Sequence, residues 1–354
     1  MSYEVTIEPS GDVIEVEEGQ TLLDAALRAG VYLPHACGHG LCATCKVDVV
    51  DGDIEQGDAS PFALMDMERD EGKCLACCAT PLSDLTIEAD IEEEPDAVNY
   101  KVQDFIGTVT KIETLTPRIK SVFLAIANGE IKFQAGHYVN LLLPGMEEEP
   151  RAFSIASPPS ESNLIELNIC LIEGGKGTQW IHEQLKVGDE IKFNGPYGRF
   201  FVRKSNPEPM IFLAGGSGLS SPKSMILDLF EQDEQREITF IYGARNQAEL
   251  YYSDMFKELA EEHKNFTYVP VVSDEPEGSD WSGARGYVHE ALDAHFAGKF
   301  SGHKAYMCGP PPMIDACITT LMKGRLFERD MYMENFYTKA SANEKPKSPL
   351  FKTI

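Results

Sequence analysis

The sequence has no long apolar run. No stretch approaches the roughly 20 apolar residues that a membrane-spanning helix requires. The opening Met1-Ser2-Tyr3-Glu4-Val5-Thr6-Ile7 alternates like a strand and carries no basic segment, so no secretory leader is expected there. Basic residues are also scarce, at 31 Lys and Arg against 57 Asp and Glu, for a net charge of −26. Phosphate backbones would be repelled, which excludes nucleic acid as a partner. The imbalance is local: residues 1–100 hold 4 bases against 23 acids, whereas the other 254 residues hold 27 against 34. Such an acidic segment keeps a protein soluble and can also steer it toward a basic partner. Nine cysteines, an odd number without a leader, set aside a disulfide framework and point to the cytoplasm.

Cys37, Cys42 and Cys45 have four and two residues between them, the C-x4-C-x2-C spacing of a 2Fe–2S cluster, which needs a fourth cysteine further on. Two irons bridged by two sulfides need four convergent thiolates. A tight loop delivers three, and Gly38 and Gly40 let its backbone wrap closely. Zinc ribbons usually show two C-x2-C knuckles, and this loop has one. Cys74, Cys77 and Cys78 are the candidates for the fourth ligand. If they lie on a strand, Cys77 and Cys78 point to opposite faces, while Cys74 shares a face with Cys78.

The 354 residues suit two or three domains. In the first, strands are expected at Tyr3 to Ile7, Val13 to Val16, Cys45 to Val50 and Leu85 to Ile87. Helices are expected from Thr21 to Gly30 and from Pro61 to Glu68. Glu92-Glu93-Glu94-Pro95-Asp96 reads as a linker. Short strands then follow without long helices, at Ile106 to Ile112, Ile119 to Ile126, Tyr138 to Leu143, Ile165 to Ile172 and Glu190 to Asn194, as in an antiparallel barrel. From Met210 the pattern becomes strand–helix alternation, with strands at Met210 to Ala214, Glu237 to Tyr242, Phe266 to Val272 and Lys304 to Met307. Helices are expected at Lys223 to Phe230 and Leu250 to Glu262. A parallel sheet with a nucleotide at the carboxyl ends of its strands follows. Gly215-Gly216-Ser217-Gly218 lies where the first strand meets a helix, a place where backbone amides favour pyrophosphate.

Arg151-Ala152-Phe153-Ser154, Gly195-Pro196-Tyr197-Gly198, Gly215-Gly216-Ser217-Gly218, Cys308-Gly309-Pro310 and Glu334-Asn335-Phe336 occur in the order seen in the ferredoxin reductase family of flavoproteins, which the chain resembles. With Ala36-Cys37-Gly38-His39-Gly40, Ser60-Pro61-Phe62-Ala63-Leu64-Met65-Asp66 and Phe336-Tyr337-Thr338-Lys339-Ala340-Ser341, it resembles reductase components of bacterial multicomponent oxygenases, most closely the phenol hydroxylase type. The resemblance implies a β-grasp α+β ferredoxin domain at 1–92, a linker at 93–99, an antiparallel β-barrel FAD domain at 100–204 and an α/β parallel-sheet NAD domain at 205–354. It implies Cys77 as the fourth ligand, because Leu75-Ala76 precedes it and Pro81 follows. It implies that Arg151 pairs with flavin phosphate, that Phe153 stacks where the family has Tyr, and that Ser154 bonds near the reactive flavin nitrogen. Gly177 and Thr178 would cradle the second FAD phosphate; Gly215, Gly216, Gly218 and Gly309 would meet the nicotinamide dinucleotide. Cys308 would lie beside nicotinamide, with Glu334 and Phe336 beside the flavin.

Arg245 is the lone base after the second strand of the sheet, and Glu249 would repel a 2′-phosphate, so NADH is expected over NADPH. Electrons would run from NADH to FAD to the 2Fe–2S cluster and on to a partner. The chain has no Glu-x-x-His pair of the di-iron bundle type, so hydroxylation is expected on a separate di-iron oxygenase component. A redox-sensing protein with a vestigial nucleotide domain is the reading from another class. Reductases of methane, alkene or toluene monooxygenases and of Rieske-type dioxygenases are the nearer alternatives.

Overall fold

The computed structural model describes residues 1–36, 38, 40–91, 94–127 and 129–336. Cys37, His39 and the expected 337–341 motif lie outside them. Two compact units emerge among the described residues: Met1–Gln103 with Gly195–Gly198, and Asp104–Asn194 with Arg199–Phe336.

The first unit is a mixed five-stranded sheet with a helix on it. Ser2–Glu8 pairs antiparallel with Asp12–Glu17 and parallel with Leu85–Glu88, which is followed by Lys46–Asp51 and Lys73–Leu75. Alternation along Ser2–Glu8 sends Val5 and Ile7 into the core. The helix Leu22–Ala29 starts where Thr21 Oγ1 accepts the Asp24 N–H and ends at Gly30 with φ +89°, a left-handed position that glycine adopts without penalty. Leu22, Leu23, Ala26 and Leu27 lie on its buried face. The helix expected from Pro61 begins only at Asp66 and runs to Asp70. Residues before it form a turn, in which the Ala63 and Leu64 N–H groups both bond the Ser60 carbonyl.

The second unit contains a barrel and a parallel sheet. The barrel strands run in the order Arg151–Ser154, Tyr138–Leu142, Glu190–Tyr197, Gln103–Thr114, Ile119–Ile126, Leu164–Cys170. A bridge between Ile155 and Leu167 joins the two ends of that order and nearly closes the barrel. The Gly174-Gly175 segment leads into the helix Lys176–Glu183.

The six-stranded sheet is parallel throughout, with Met210–Gly215 between Ile238–Ala244 and Lys304–Gly309. Every residue of Met210–Gly215 is buried, which matches its unbroken apolar sequence. The following turn Gly216–Leu219 continues into the helix Ser220–Glu231, three residues earlier than the apolar pattern indicated. Helices Val288–Phe296 and Pro311–Lys323 and the edge strand Met331–Asn335 were not anticipated.

Candidate active site

Strand register builds the centre of the second unit. Lys304–Gly309 and Met331–Asn335 run parallel with Cys308 opposite Glu334, so both side chains share a face. Glu334 Oε2 accepts hydrogen bonds from Ser154 Oγ at 3.0 Å, from the barrel, and from Ser221 Oγ at 2.9 Å, from the helix after the glycine turn. Cys308 Sγ lies 3.8 Å from the same oxygen. Three of the expected residues therefore meet, and Ser221 joins them. The sequence reading left Ser221 in a loop; its one signal was its place directly after the glycine turn.

Residue 334 keeps some solvent contact, while its carboxylate is closed in by these three groups. Burial pushes it up to about 7, against the stabilising bonds from Ser221 and Ser154. Burial also raises the Cys308 thiol, which stays protonated. A carboxyl group near neutrality, bonded to two hydroxyls, can hold or pass a proton.

Glycines 218 and 309 permit close backbone approach, and Gly215 makes room for the Met313 side chain. A Cβ on Gly218 would sit 2.3 Å from the Cys308 carbonyl oxygen, and one on Gly309 3.2 Å from the Gly215 nitrogen. Gly216 has φ +55° and open space around it, so conformation alone requires glycine there. The Phe336 N–H lies 3.4 Å from the Gly309 carbonyl oxygen.

On the barrel, Phe153 stands opposite Val139 and packs against the barrel core. Arg151 bonds Glu149 through its carbonyl and through its carboxylate, the latter at 3.0 Å. A Cβ on Gly177 would lie 3.1 Å from the Arg151 side chain, so this glycine lets the helix rest on that arginine. Thr178 Oγ1 accepts the Ile172 N–H and donates to the Gly175 carbonyl, each at 3.1 Å, closing the turn that starts the helix. Arg245 is ion-paired with Glu249 at 2.8 Å. A cavity of about 420 Å³ lies beyond the next strand, lined by Val272, Ser273, Glu275 and Arg285 among others.

Behind the centre, Lys223 and Glu166 form a buried ion pair at 2.7 Å. Lys223 also donates to the Ala156 carbonyl, and Glu166 accepts from Ser121 and Tyr252. Burial opposes the Glu166 charge, but Lys223 and the hydroxyls hold its carboxyl below the ordinary range. This network bolts the helix bearing Ser221 to the barrel, and no sequence motif announced it.

In the first unit, Cys77 and Cys78 lie in a turn after Lys73–Leu75, not on a strand, because the N–H groups of Cys78 and Ala79 both bond the Leu75 carbonyl. The opposite-face expectation therefore fails: their sulfurs are 3.6 Å apart. The Gly40 N–H donates to Cys77 Sγ at 3.3 Å. Bonds to Cys45 and Cys78 raise the Cys77 thiol, and the Cys77 bond lowers that of Cys45. Convergent thiols with a backbone N–H aimed at one sulfur fit a cluster held by thiolates. A Cβ on Gly40 would strike Cys78 Sγ at 2.8 Å. Cys42 is half-buried in the same loop, and Cys37 is outside the described residues. Cys74 pairs with Val47 inside the core, where burial pushes its thiol up to about 12.

Three family profiles match: a 2Fe-2S iron-sulfur cluster binding domain over residues 5–82, an oxidoreductase FAD-binding domain over 107–202 and an oxidoreductase NAD-binding domain over 212–318. The phenol 2-monooxygenase reductase component of Pseudomonas sp. (strain CF600) is 59% identical, with all of both chains covered. This chain belongs to the phenol hydroxylase reductase-component family. The phenol hydroxylase P5 protein of Acinetobacter pittii (strain PHEA-2) is 54% identical, again over 100% of both chains. Among solved structures, an Amycolatopsis cytochrome P450 reductase has a TM-score of 0.87 at 32% identity, covering 94% of this chain and 98% of its own. This chain carries the three modules in sequence, and 2Fe–2S, FAD and NAD are the groups those modules take. No helix among the described residues is long and apolar enough to cross a membrane.

Proposed function

We propose that this chain is the NADH-dependent reductase that supplies the di-iron oxygenase component of a phenol hydroxylase. The family and its three modules define an NADH oxidoreductase passing electrons from NADH to FAD to 2Fe–2S. When bound, FAD would supply the step that protein side chains lack, accepting one hydride with its electron pair and releasing the two electrons singly. The observation that carries the reading is the convergence of Ser154, Ser221 and Cys308 on Glu334, which brings a barrel strand, the glycine-turn helix and the Cys-Gly strand to one point.

The chain's own residues then orient and shield. Arg151, with Gly177 and Thr178 at the start of their helix, holds FAD phosphates, and Phe153 packs on the flavin. Gly215, Gly216, Gly218 and Gly309 admit the dinucleotide, with Phe336 and Cys308 beside the rings. Arg245 meets the adenosine ribose. Glu334 holds a proton that Ser154 and Ser221 can relay. Cys37, Cys42, Cys45 and Cys77 hold the cluster, with Cys78 as a bystander. The working divisions are 1–92, 93–99, 100–204 and 205–354, and the location is cytoplasmic.

Reconstitution tests the assignment. The purified chain, loaded with FAD and cluster, should couple NADH consumption to phenol hydroxylation by the oxygenase component of a phenol hydroxylase. Coupling to a Rieske-type dioxygenase instead, with none to the di-iron enzyme, would overturn it.

A further inference from the structure

Gly216 opens the glycine turn with φ +55°, and its carbonyl oxygen accepts two phenolic hydrogen bonds. Tyr242 Oη, from the adjacent strand Ile238–Ala244, lies 3.2 Å away; Tyr251 Oη, ahead of the helix Ser253–Glu262, lies 3.1 Å away. The two tyrosines are 0% and 3% exposed, and their rings meet edge to face at 5.7 Å. Burial raises both phenols well above their ordinary value, so both remain donors. Phenylalanine would fill the same space without burying a hydroxyl. Burying one is costly unless it is bonded, and here two are spent on a single backbone oxygen.

A trans peptide sets the C=O of one residue antiparallel to the N–H of the next. Anchoring the Gly216 carbonyl inward therefore turns the Ser217 N–H outward. Gly216 and Ser217 are both half-exposed, and an N–H in a first helical turn has no acceptor within the helix. We propose that Tyr242 and Tyr251 are positioning residues for NADH: they lock the Gly216–Ser217 peptide so that the Ser217 N–H faces the dinucleotide's pyrophosphate. This rests on the reading of the glycine turn as the pyrophosphate site. Without the two hydroxyls the peptide can flip, because glycine tolerates either orientation, and a carbonyl oxygen would then face the anion.

The test uses the full FAD-loaded chain with Tyr242→Phe, Tyr251→Phe and the double variant, with binding of ADP-ribose measured by calorimetry. ADP-ribose has the pyrophosphate but no nicotinamide, so flavin turnover does not enter. Each single variant should bind about 5-fold more weakly and the double roughly 20- to 30-fold, at one ordinary hydrogen bond apiece. Flavin reduction by reduced nicotinamide mononucleotide, which lacks the pyrophosphate, should stay within about 2-fold, because a locally held peptide is all that changes. So should the limiting rate at saturating NADH. A double variant that binds ADP-ribose like the parent overturns the proposal, as does equal impairment with the mononucleotide. Should the double variant lose flavin, the singles decide by the same criteria. Ser217→Pro, which removes the N–H, separates the two layers. If it weakens ADP-ribose while the phenylalanine variants do not, the tyrosine proposal alone fails. If it binds normally, the reading of the turn fails too.

Discussion

The hydroxyl of Ser221 should govern the proton affinity of Glu334. Burial holds that carboxyl at about 7, and Ser221 and Ser154 both donate to its Oε2, bonds that favour the charged form. Ser221→Ala removes one. A hydrogen bond to a charged group contributes about 1.5–3 kcal/mol. At roughly 1.4 kcal/mol per unit, that is a rise of about one to two units. Residual solvent contact at residue 334 favours the lower end, a midpoint of about 8. The assay is a difference proton titration of each variant against Glu334→Gln, which keeps an acceptor and cannot titrate. Ser154→Ala should move the midpoint in the same direction. The sign carries into stability. A carboxyl raised in the fold from 4.5 contributes stability that is complete below the unfolded value and is lost as pH rises through about 7. Melting temperature, measured relative to Glu334→Gln, should therefore fall from pH 4.5 to about 7, and the fall should extend about one unit further in Ser221→Ala. A Ser221→Ala midpoint that is unchanged or lower would refute the assignment of that hydroxyl.

Lys223→Met should destabilise the chain by about 3–5 kcal/mol in denaturant melts, because Glu166 would be left charged and buried. Pairing it with Glu166→Gln should recover most of the loss, and a double variant no better than the single would sink the account. Glu249→Gln releases Arg245 from its ion pair, so the NADPH/NADH ratio of kcat/KM should rise about tenfold, the effect of one charge-assisted contact; no change would place Arg245 away from the ribose. Cys45→Ser and Cys77→Ser should lose the visible spectrum of the cluster and the reduction of cytochrome c while keeping NADH-driven dye reduction. Cys78→Ser should keep the cluster, and loss there with retention in Cys77→Ser would reassign the fourth ligand.

The local chemistry of this chain was legible in its sequence. Thr21 and Gly30 bound a helix through a side-chain oxygen and a missing Cβ, and both act within one turn of chain. The apolar run Met210 to Ala214 read as a buried parallel strand, and every residue of Met210–Gly215 is buried. The C-x4-C-x2-C spacing specified a cluster loop because its geometry is local too. The helix Lys176–Glu183 was missed because glycines at its start signal turns, and Pro311–Lys323 because prolines that suit a first helical turn also read as breakers. The Cys77–Cys78 arrangement depended on a turn in which the Leu75 carbonyl accepts the Cys78 and Ala79 N–H groups. The centre itself was a matter of tertiary structure. Ser221 and Ser154 reach Glu334 across 113 and 180 residues, and Tyr251 reaches Gly216 across 35. Residue type shows that a hydroxyl can donate. Which acceptor it meets is set by strand order and register in the parallel sheet, and those follow from burying apolar faces over the whole unit.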